Sequence, residues 1–522
     1  MPTASRLLAP VSQPVAGTLD PVVTSVAYDS RNVTSGALFC ALPGVHVDGH
    51  AYIEQALQRG AVAVLCQRPP TDAEALAARY GAVLYCAQEV RLAMSRAAAA
   101  LYDHPTASLP VIGVTGTDGK STTTYMIDQL LRAAGVDSGF ISTALLRSGD
   151  ELVPNPFRQS TPEAPELQRL LAEMRDAGKR VAVVEATSHG LSAKTQRLAD
   201  VVFRAAVFTN LSHEHLEFHG SFERYRDDKV NLFRAVDAAA AAAASGPAPA
   251  DGTLAFGRFG VVNASDPNSQ YFRTVTDRPV FSFGIETGDL GAYDVIAQPA
   301  GMAFQLHWQG KAVAAQLPLL GTVSVENALA ALLATSLALQ TDPLELAPLL
   351  GTIKPLPGRM QLIPNDLGYT TIIDYAHTPG SFEKVLPGLR PDSGAGRLIV
   401  VFGSAGERDI DKRPWQGELA ARHADVVVLT DEDPRGEDRD AIIDQIAAGC
   451  LREDPTIETE RRLLRIPDRT AAIAAALEVA QAGDVVAFLG KAHETSIIYP
   501  DGPHTWSEET AVRDAIRARQ AG

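Results

Sequence analysis

The 522-residue chain has only four cysteines, Cys40, Cys66, Cys86 and Cys450, scattered without metal-ligand spacing. A 55.4 kDa chain does not depend on disulfide staples, so they read as reduced, buried small hydrophobes. Positive charge is also scarce. Lys plus Arg number 46 against 62 Asp plus Glu, a net charge of −16, which excludes a general nucleic-acid or anionic-membrane surface. Any anionic ligand must therefore be met by local donors. Long hydrophobic runs are missing too: no stretch of about eighteen uncharged apolar residues occurs, and MPTASRLLAPVSQP lacks a basic start followed by an apolar run. The expectation is a soluble, cytoplasmic protein with no membrane or nucleic-acid partner. No internal repeat with a period of about 20 to 50 residues is present, which excludes a solenoid.

What is present is ordinary globular material, 46% apolar and 21% charged. At about 100–200 residues per domain the length predicts roughly two to four domains, with three the central expectation. Short β-branched runs (AVAVLCQ, VIGVTG, VAVVEA, AAVFTN, RLIVVFG, DVVVLT, DVVAFLG) alternate with Ala/Leu-rich helical stretches, the pattern of α/β parallel sheets covered by helices. Boundaries are expected near Asp103 to Pro110, where HPTASLP breaks a helix, and near Lys354 to Gly358 in KPLPG, giving domains 1–106, 107–354 and 355–522. The alanine run Ala238 to Ala244 followed by SGPAPADG reads as a helix end entering a loop, not a boundary.

The most informative segment is VIGVTGTDGKSTTTYMIDQLL. An apolar strand, Val111 to Val114, enters a loop read as holding Gly113, Gly116 and Gly119, and Lys120, Ser121 and Thr122 open a helix. Glycines let backbone N–H groups approach a phosphate, the helix start favours negative charge, Lys120 can neutralise phosphate oxygens and Ser121 can ligate Mg²⁺. Val114 stands where the first glycine of GxxxxGK[ST] belongs, so the motif is not strict. The competing reading is a glycine-rich turn before a helix.

VAVVEATSHGL puts Glu185 at a strand end, where α/β sheets bind ligands and where a carboxylate suits Mg²⁺. Alone, such a residue equally caps a helix or pairs with a lysine. In FTNLSHEHLEFHG, His213, His215 and His219 suggest zinc, but Glu217 occupies the second histidine position of HExxH. A zinc hydrolase is the weaker alternative. Lys229, further along a helix, has no role from composition alone.

Together, GVTGTDGKST, EATSHGL, FTNLSHEHLEFHG, GRMQ, DYAHTP, GSAGERDIDKRP, DEDPRGE and GKAHE resemble the Mur ligase family, from about Asp29 to Glu494. The resemblance implies a uridine-binding N-terminal domain, a central P-loop ATPase domain and a C-terminal Rossmann-like domain that brings the amino acid. It assigns Ser30, Asp48 and Gly49 to the uridine nucleotide, and Ser160, Thr161, Ser188 and Arg197 to the muramoyl dipeptide. Gly116, Thr117, Gly119, Lys120, Ser121 and Thr122 match the ATP loop, with Asn327, Arg359, Asp374 and His377 contacting the rest of the nucleotide. Ser121, Glu185, His215 and a carbamylated Lys229 match the Mg²⁺ site, and Lys120, Glu185, His215 and Lys229 the catalytic set. Arg408, Asp433, Arg435, Gly490 and Glu494 match the pocket for the added amino acid. Ser324 departs from a usual asparagine, two extra residues separate Ser188 from Arg197, Ala492 interrupts GKGHE, and Asp433 replaces the asparagine of DNPR.

The expected function is a monomeric, ATP- and Mg²⁺-dependent ligase of peptidoglycan precursor synthesis that adds a diamino acid to UDP-MurNAc-L-Ala-D-Glu through an acyl phosphate. Asp433 favours lysine or ornithine over meso-diaminopimelate, because its charge attracts an ammonium and repels a second carboxylate. Arg435 opposes that preference unless it pairs with Asp433, Glu432 or Glu437. The rivals are a sibling amide ligase, such as folylpolyglutamate synthase, and a nucleotide-binding partner protein without ligase chemistry.

Overall fold

The computed structural model describes residues 1–44, 47–157, 159–212, 216–243, 252–298, 301–391 and 396–521. The chain forms two compact units. One comprises Met1–Ala292, Leu306–Val313 and Asn327–Leu349, the other Tyr293–Gln305, Ala314–Glu326 and Leu350–Gly522.

The first unit opens with a five-stranded sheet in the order Gln13–Ala16, Val83–Cys86, Ala61–Cys66, Ala37–Ala41, Ser25–Ala27. All its pairings are parallel except that of Gln13–Ala16. Residues of Ala37–Ala41 alternate between two apolar clusters, Phe39 with Val64 and Leu84 on one face, Leu38 with Leu65 and Met94 on the other. That is why its strands read as continuous apolar runs: both faces are covered.

The same unit then builds a larger sheet. Its centre runs Val280–Ile285, Phe259–Asn263, Phe203–Phe208, Val111–Thr115, Val181–Glu185, Ser138–Ile141, with parallel pairing throughout. Val111–Thr115 lies between two parallel neighbours and every residue of it is buried. The strands Leu145–Arg147 and Val153–Pro154 add an antiparallel edge that the parallel-sheet expectation omits. Parallel strands share one direction, so the ends of Val111–Thr115, Val181–Glu185 and Phe203–Phe208 deliver their loops to one edge of the sheet, where α/β proteins bind ligands.

The second unit holds a six-stranded sheet, Gln361–Leu362, Thr370–Asp374, Val485–Leu489, Leu398–Phe402, Val426–Leu429, Leu463–Arg465, parallel except at the first strand. Leu398, Val400 and Phe402 enter one core cluster, Ile399 and Val401 another. Within it, buried Arg469 donates twice to buried Glu508 and also to the backbone carbonyls of Asp431 and Leu489.

All seven strands read from the sequence form. The α/β architecture is therefore as expected. The helix Phe222–Ala243 ends within the alanine run, and the SGPAPADG segment that follows lies mostly outside the described residues. One cysteine corrects the expectation: Cys40, Cys66 and Cys450 are buried and all four are free, but Cys86 is only half-buried. The helix Thr322–Leu339 is long and apolar enough to cross a membrane by length and composition, and 72% of that stretch is buried within the fold, as in a core helix.

Candidate active site

The loop after Val111–Thr115 is shaped by backbone conformations that side chains resist. Gly116 has φ +148° and Gly119 φ +80°, and a Cβ would stand 1.9 Å from Thr209 Oγ1 at the first and 2.2 Å from Asn327 Oδ1 at the second. The end of the neighbouring strand Phe203–Phe208 clamps this loop. Asn210 accepts from Thr117 N–H through its carbonyl at 2.8 Å, and its side chain both accepts from Asp118 N–H and donates to Asp118 C=O at 3.1 Å. Thr209 Oγ1 donates to the same carbonyl at 2.6 Å. The helix Lys120–Ala133 starts directly after Gly119, so its first N–H groups face the loop. Lys120 turns its ammonium back onto the loop, 2.7 Å from Thr117 C=O. Thr122, at the same helix start, is half-buried. Asn327 accepts from Thr123 Oγ1 at 3.3 Å, which places the predicted nucleotide contact against this helix.

Glu185 is 1% exposed at the end of its strand. Ser121 donates to its Oε2 at 2.7 Å, and Thr143 donates from N–H at 2.8 Å and from its hydroxyl at 2.9–3.0 Å. This buried carboxylate is thus held by neutral donors. Together with Ser121 it presents hard oxygen ligands, the donor set Mg²⁺ prefers. Lys229 also reaches this place. It is 1% exposed, donates to Gly116 C=O, and has its Nζ 4.4 Å from the Tyr225 ring centre. Tyr225 in turn has its hydroxyl 3.0 Å from Thr117 Oγ1. The helix Phe222–Ala243 thus brings the predicted lysine to the phosphate loop. His213 and His215 lie outside the described residues. His219 does not support the zinc alternative: its Nδ1 is 2.7 Å from Asp228 and its Nε2 3.1 Å from Ser188 Oγ. Among the described residues, no group of three or more His, Cys, Asp and Glu side chains is arranged to hold a metal.

Beside Glu185, Thr161 donates to its backbone carbonyl at 2.9 Å and contacts Thr187 Oγ1 at 2.9 Å. Arg197 donates to Thr161 C=O at 3.2 Å and to Glu163 at 3.1 Å, so the structure brings Thr161, Ser188 and Arg197 into one neighbourhood despite the two extra residues before Arg197. Ser160 is half-buried next to Thr161. Ser30, Asp48 and Gly49 belong to the N-terminal sheet. Ser30 donates to Gln55 at 2.7 Å, Asp48 pairs with Arg68 at 3.0 Å and with His50, and Gly49 donates to Leu42 C=O at 2.9 Å.

In the second unit, Asp374 accepts from the N–H groups of Met360 and Ala376, both at 2.8 Å, and the Arg359 guanidinium lies 4.3 Å from the Tyr375 ring centre. His377 Nδ1 is 2.7 Å from Tyr375 C=O. Tyr375 donates to Glu494 at 3.0 Å; burial, then the nearby Glu494 charge, pushes this phenol well above its ordinary range. Glu494 and Asp433 share the ammonium of Lys491, at 2.8 Å for Asp433, which also accepts from Ile498 N–H at 3.0 Å. Arg435 does not pair with Asp433, Glu432 or Glu437: Lys491 holds the first, Arg413 holds Glu437 at 2.8 Å, and among the described residues the buried Nε of Arg435 and Oε2 of Glu432 have no hydrogen-bond partner. Gly490 has φ +98° and lies beside Glu432, while Arg408 is exposed. His493 is pushed down to about 3 by burial and then by Arg359, His377 and Lys491.

Sequence reasoning missed Thr143, Asn210, Tyr225 and Lys491. Asn210 and Lys491 sit inside quoted motifs, FTNLSHEH and GKAHE, and were within reach; Thr143 comes from a turn whose sequence carries no signal.

The chain matches three family descriptions: "Mur ligase family, catalytic domain" over residues 22–104, "Mur ligase middle domain" over 114–335 and "Mur ligase, glutamate ligase domain" over 358–492. It is 42% identical to a UDP-N-acetylmuramyl-tripeptide synthetase of Treponema denticola, covering 95% of this chain and 94% of that one. With the protein of the same description from a Roseiflexus species it shares 44%, over 95% of each. A solved UDP-N-acetylmuramoyl-L-alanyl-D-glutamate–2,6-diaminopimelate ligase superposes with a TM-score of 0.61 at 29% identity, covering 95% of both chains. With the phosphate loop, the buried Glu185 and the end-to-end likeness all in agreement, the chain belongs to the Mur ligase family of ATP-dependent acid–amino-acid ligases.

Proposed function

We propose that this ligase joins a diamino acid to UDP-MurNAc-L-Ala-D-Glu in cytoplasmic synthesis of the peptidoglycan precursor, taking lysine or ornithine ahead of meso-diaminopimelate. Residues 1–106 would hold the uridine nucleotide, 107–354 the ATP and 355–522 the incoming amino acid. The observation that carries the reading is the junction of Lys120, Ser121 and buried Glu185 at one glycine-shaped loop.

The residues fit ATP with Mg²⁺, because the loop gives N–H groups and an ammonium for phosphate while Ser121 and Glu185 give oxygen ligands; a carbamylated Lys229 would add a further oxygen, and His215, outside the described residues, a nitrogen. When bound, that pair supplies the transferable phosphoryl group and a divalent charge beside it. The loop N–H groups and Lys120 would offset negative charge as it moves, the positioning and electrostatic work on which phosphoryl transfer depends. Thr161, Ser188 and Arg197 would orient the dipeptide so that its D-Glu carboxylate becomes the acyl phosphate. The diamino acid's amine would then attack that carbonyl carbon, and phosphate would leave with the former carboxylate oxygen. Water must be excluded at this stage, because it would hydrolyse the acyl phosphate.

Two carboxylates share one ammonium at Asp433, Glu494 and Lys491, which leaves a net negative charge beside Glu432. That supports a side chain ending in an ammonium. Arg435, with no carboxylate partner among the described residues, is the observation that favours meso-diaminopimelate instead. Side-by-side rates with lysine, ornithine and meso-diaminopimelate, each with ATP and the nucleotide dipeptide, decide this. The proposal expects the higher kcat/KM for lysine or ornithine; a tenfold preference for meso-diaminopimelate would mean that Arg435 dominates.

A further inference from the structure

Ser188 opens the short helix Ser188–Leu191 that leaves the Glu185 strand, with Thr187 as its N-cap. It is 2% exposed, and its hydroxyl is the last member of a chain that runs from half-buried Asp228 through buried His219. His219 Nε2 lies 3.1 Å from Ser188 Oγ, and His219 Nδ1 lies 2.7 Å from Asp228 Oδ2. The ring cannot swing freely, for His189, Phe218 and Tyr225 pack on it with ring centres 5.3, 4.7 and 5.1 Å away. Three segments therefore meet at one hydroxyl: the exit of the Glu185 strand, the segment Leu216–His219 and the helix Phe222–Ala243.

We propose that Asp228 and His219 are positioning residues that fix the Ser188 hydroxyl as a hydrogen-bond acceptor, so that the group it meets on the bound peptide is an amide N–H. A carboxylate has no proton to give, so the ring proton sits on Nδ1 and points to Asp228. Nε2 of the neutral ring then takes the Ser188 proton. A hydroxyl has one proton, and with that proton committed only its lone pairs are left for a ligand. The order Asp, His, Ser is also that of hydrolase triads, in which the histidine activates the serine. Here the serine stands three residues beyond Glu185, where attack on an activated carboxylate would consume the acyl phosphate without forming the amide; orientation is the role that serves ligation. Thr161 and Arg197, tied to the same strand end, complete the neighbourhood in which a peptide would lie.

This inference rests on the ligase reading, and its test separates the two. In the full-length enzyme, His219→Ala is expected to raise KM for UDP-MurNAc-L-Ala-D-Glu about tenfold while kcat and KM for ATP stay within about twofold. His219→Gln, whose amide oxygen can accept the Ser188 proton, should recover most of that loss. Ser188→Ala with His219→Ala should be no worse than Ser188→Ala alone, because both remove one interaction. Losses that add, or a KM for ATP that rises as much as that for the dipeptide, would overturn the proposal by making His219 a general packing residue. A second measurement does not depend on a variant folding. Nitrogen-15 NMR of the wild-type imidazole should find Nδ1 protonated and Nε2 bare; a proton on Nε2 would overturn the proposal. Wild-type protein that forms no amide with any diamino acid would refute the ligase reading itself, and the NMR result would still judge the hydrogen-bond chain.

Discussion

The glycine-shaped loop of the first unit and the charged cluster of Asp433, Lys491 and Glu494 in the second, the proposed amino-acid pocket, solve opposite problems. At the loop the work is done by backbone: Gly116 and Gly119 leave no room for a Cβ, Asn210 and Thr209 hold Thr117 and Asp118 in place, and Glu185 is surrounded by neutral donors. At the pocket it is done by side-chain charge. Asp433 and Glu494 divide one ammonium, and Arg435 and Glu432 each keep a buried polar atom without a partner among the described residues. A loop held rigid by close-packed glycines and neutral donors suits one chemistry, the phosphate handling proposed for it. A site with charge left over is a place where the ligand decides the balance, and where a single substitution changes the choice.

That contrast orders the expected effects. The largest belongs to the loop. Lys120→Ala should lower ATP-dependent ligation by about a thousandfold or more with the fold intact by circular dichroism, since no neutral side chain replaces a charge-assisted contact to a phosphate. Near wild-type turnover in the folded variant would break the comparison at its stronger end. Next is Lys229→Ala, expected to lose about a hundredfold or more of activity and to regain part of it with short carboxylic acids if a carbamate is the working group. Unimpaired ligation would remove Lys229 from the site.

The pocket should respond in preference and not in rate. Asp433→Asn is expected to narrow the lysine-to-diaminopimelate ratio of kcat/KM by about three- to tenfold, with the rate for the better substrate changed less. An unchanged ratio would show that Lys491 cancels Asp433 completely. The smallest effect concerns stability. His493 is held neutral, its value depressed from the ordinary 6.5 to about 3, so it contributes stability that is fully present above 6.5 and is lost as pH falls from there toward 3. His493→Gln should therefore lose less Tm than the wild type between pH 7 and pH 5, by about a few degrees, in calorimetry at both pH values. Equal losses would mean that His493 is not the group responsible.

The two regions also differed in how much of them could be read before the fold was known. Strand, glycines, lysine and hydroxyls of the loop are contiguous, so their task is visible in one segment. Glu185 was a strand-end carboxylate of open meaning until Thr143 and Ser121 closed on it. Lys229 lies 113 residues from the carbonyl it contacts, a distance no local pattern bridges. In the pocket, Asp433 was legible as an added charge, but its partner Lys491 comes from 58 residues further on, and the pairing reverses the simplest reading of a bare carboxylate facing the ligand. Architecture follows from hydrophobic periodicity, which is local; electrostatic balance follows from which distant strands the sheet places side by side, which is not.

The ligation proposed for this chain depends on activating a carboxylate as an acyl phosphate. The direct measurement uses UDP-MurNAc-L-Ala-D-Glu with oxygen-18 in the D-Glu side-chain carboxylate, ATP, Mg²⁺ and lysine, and reads the released phosphate by mass. One oxygen-18 is expected in the phosphate for each amide formed. Amide formation with unlabelled phosphate would contradict it.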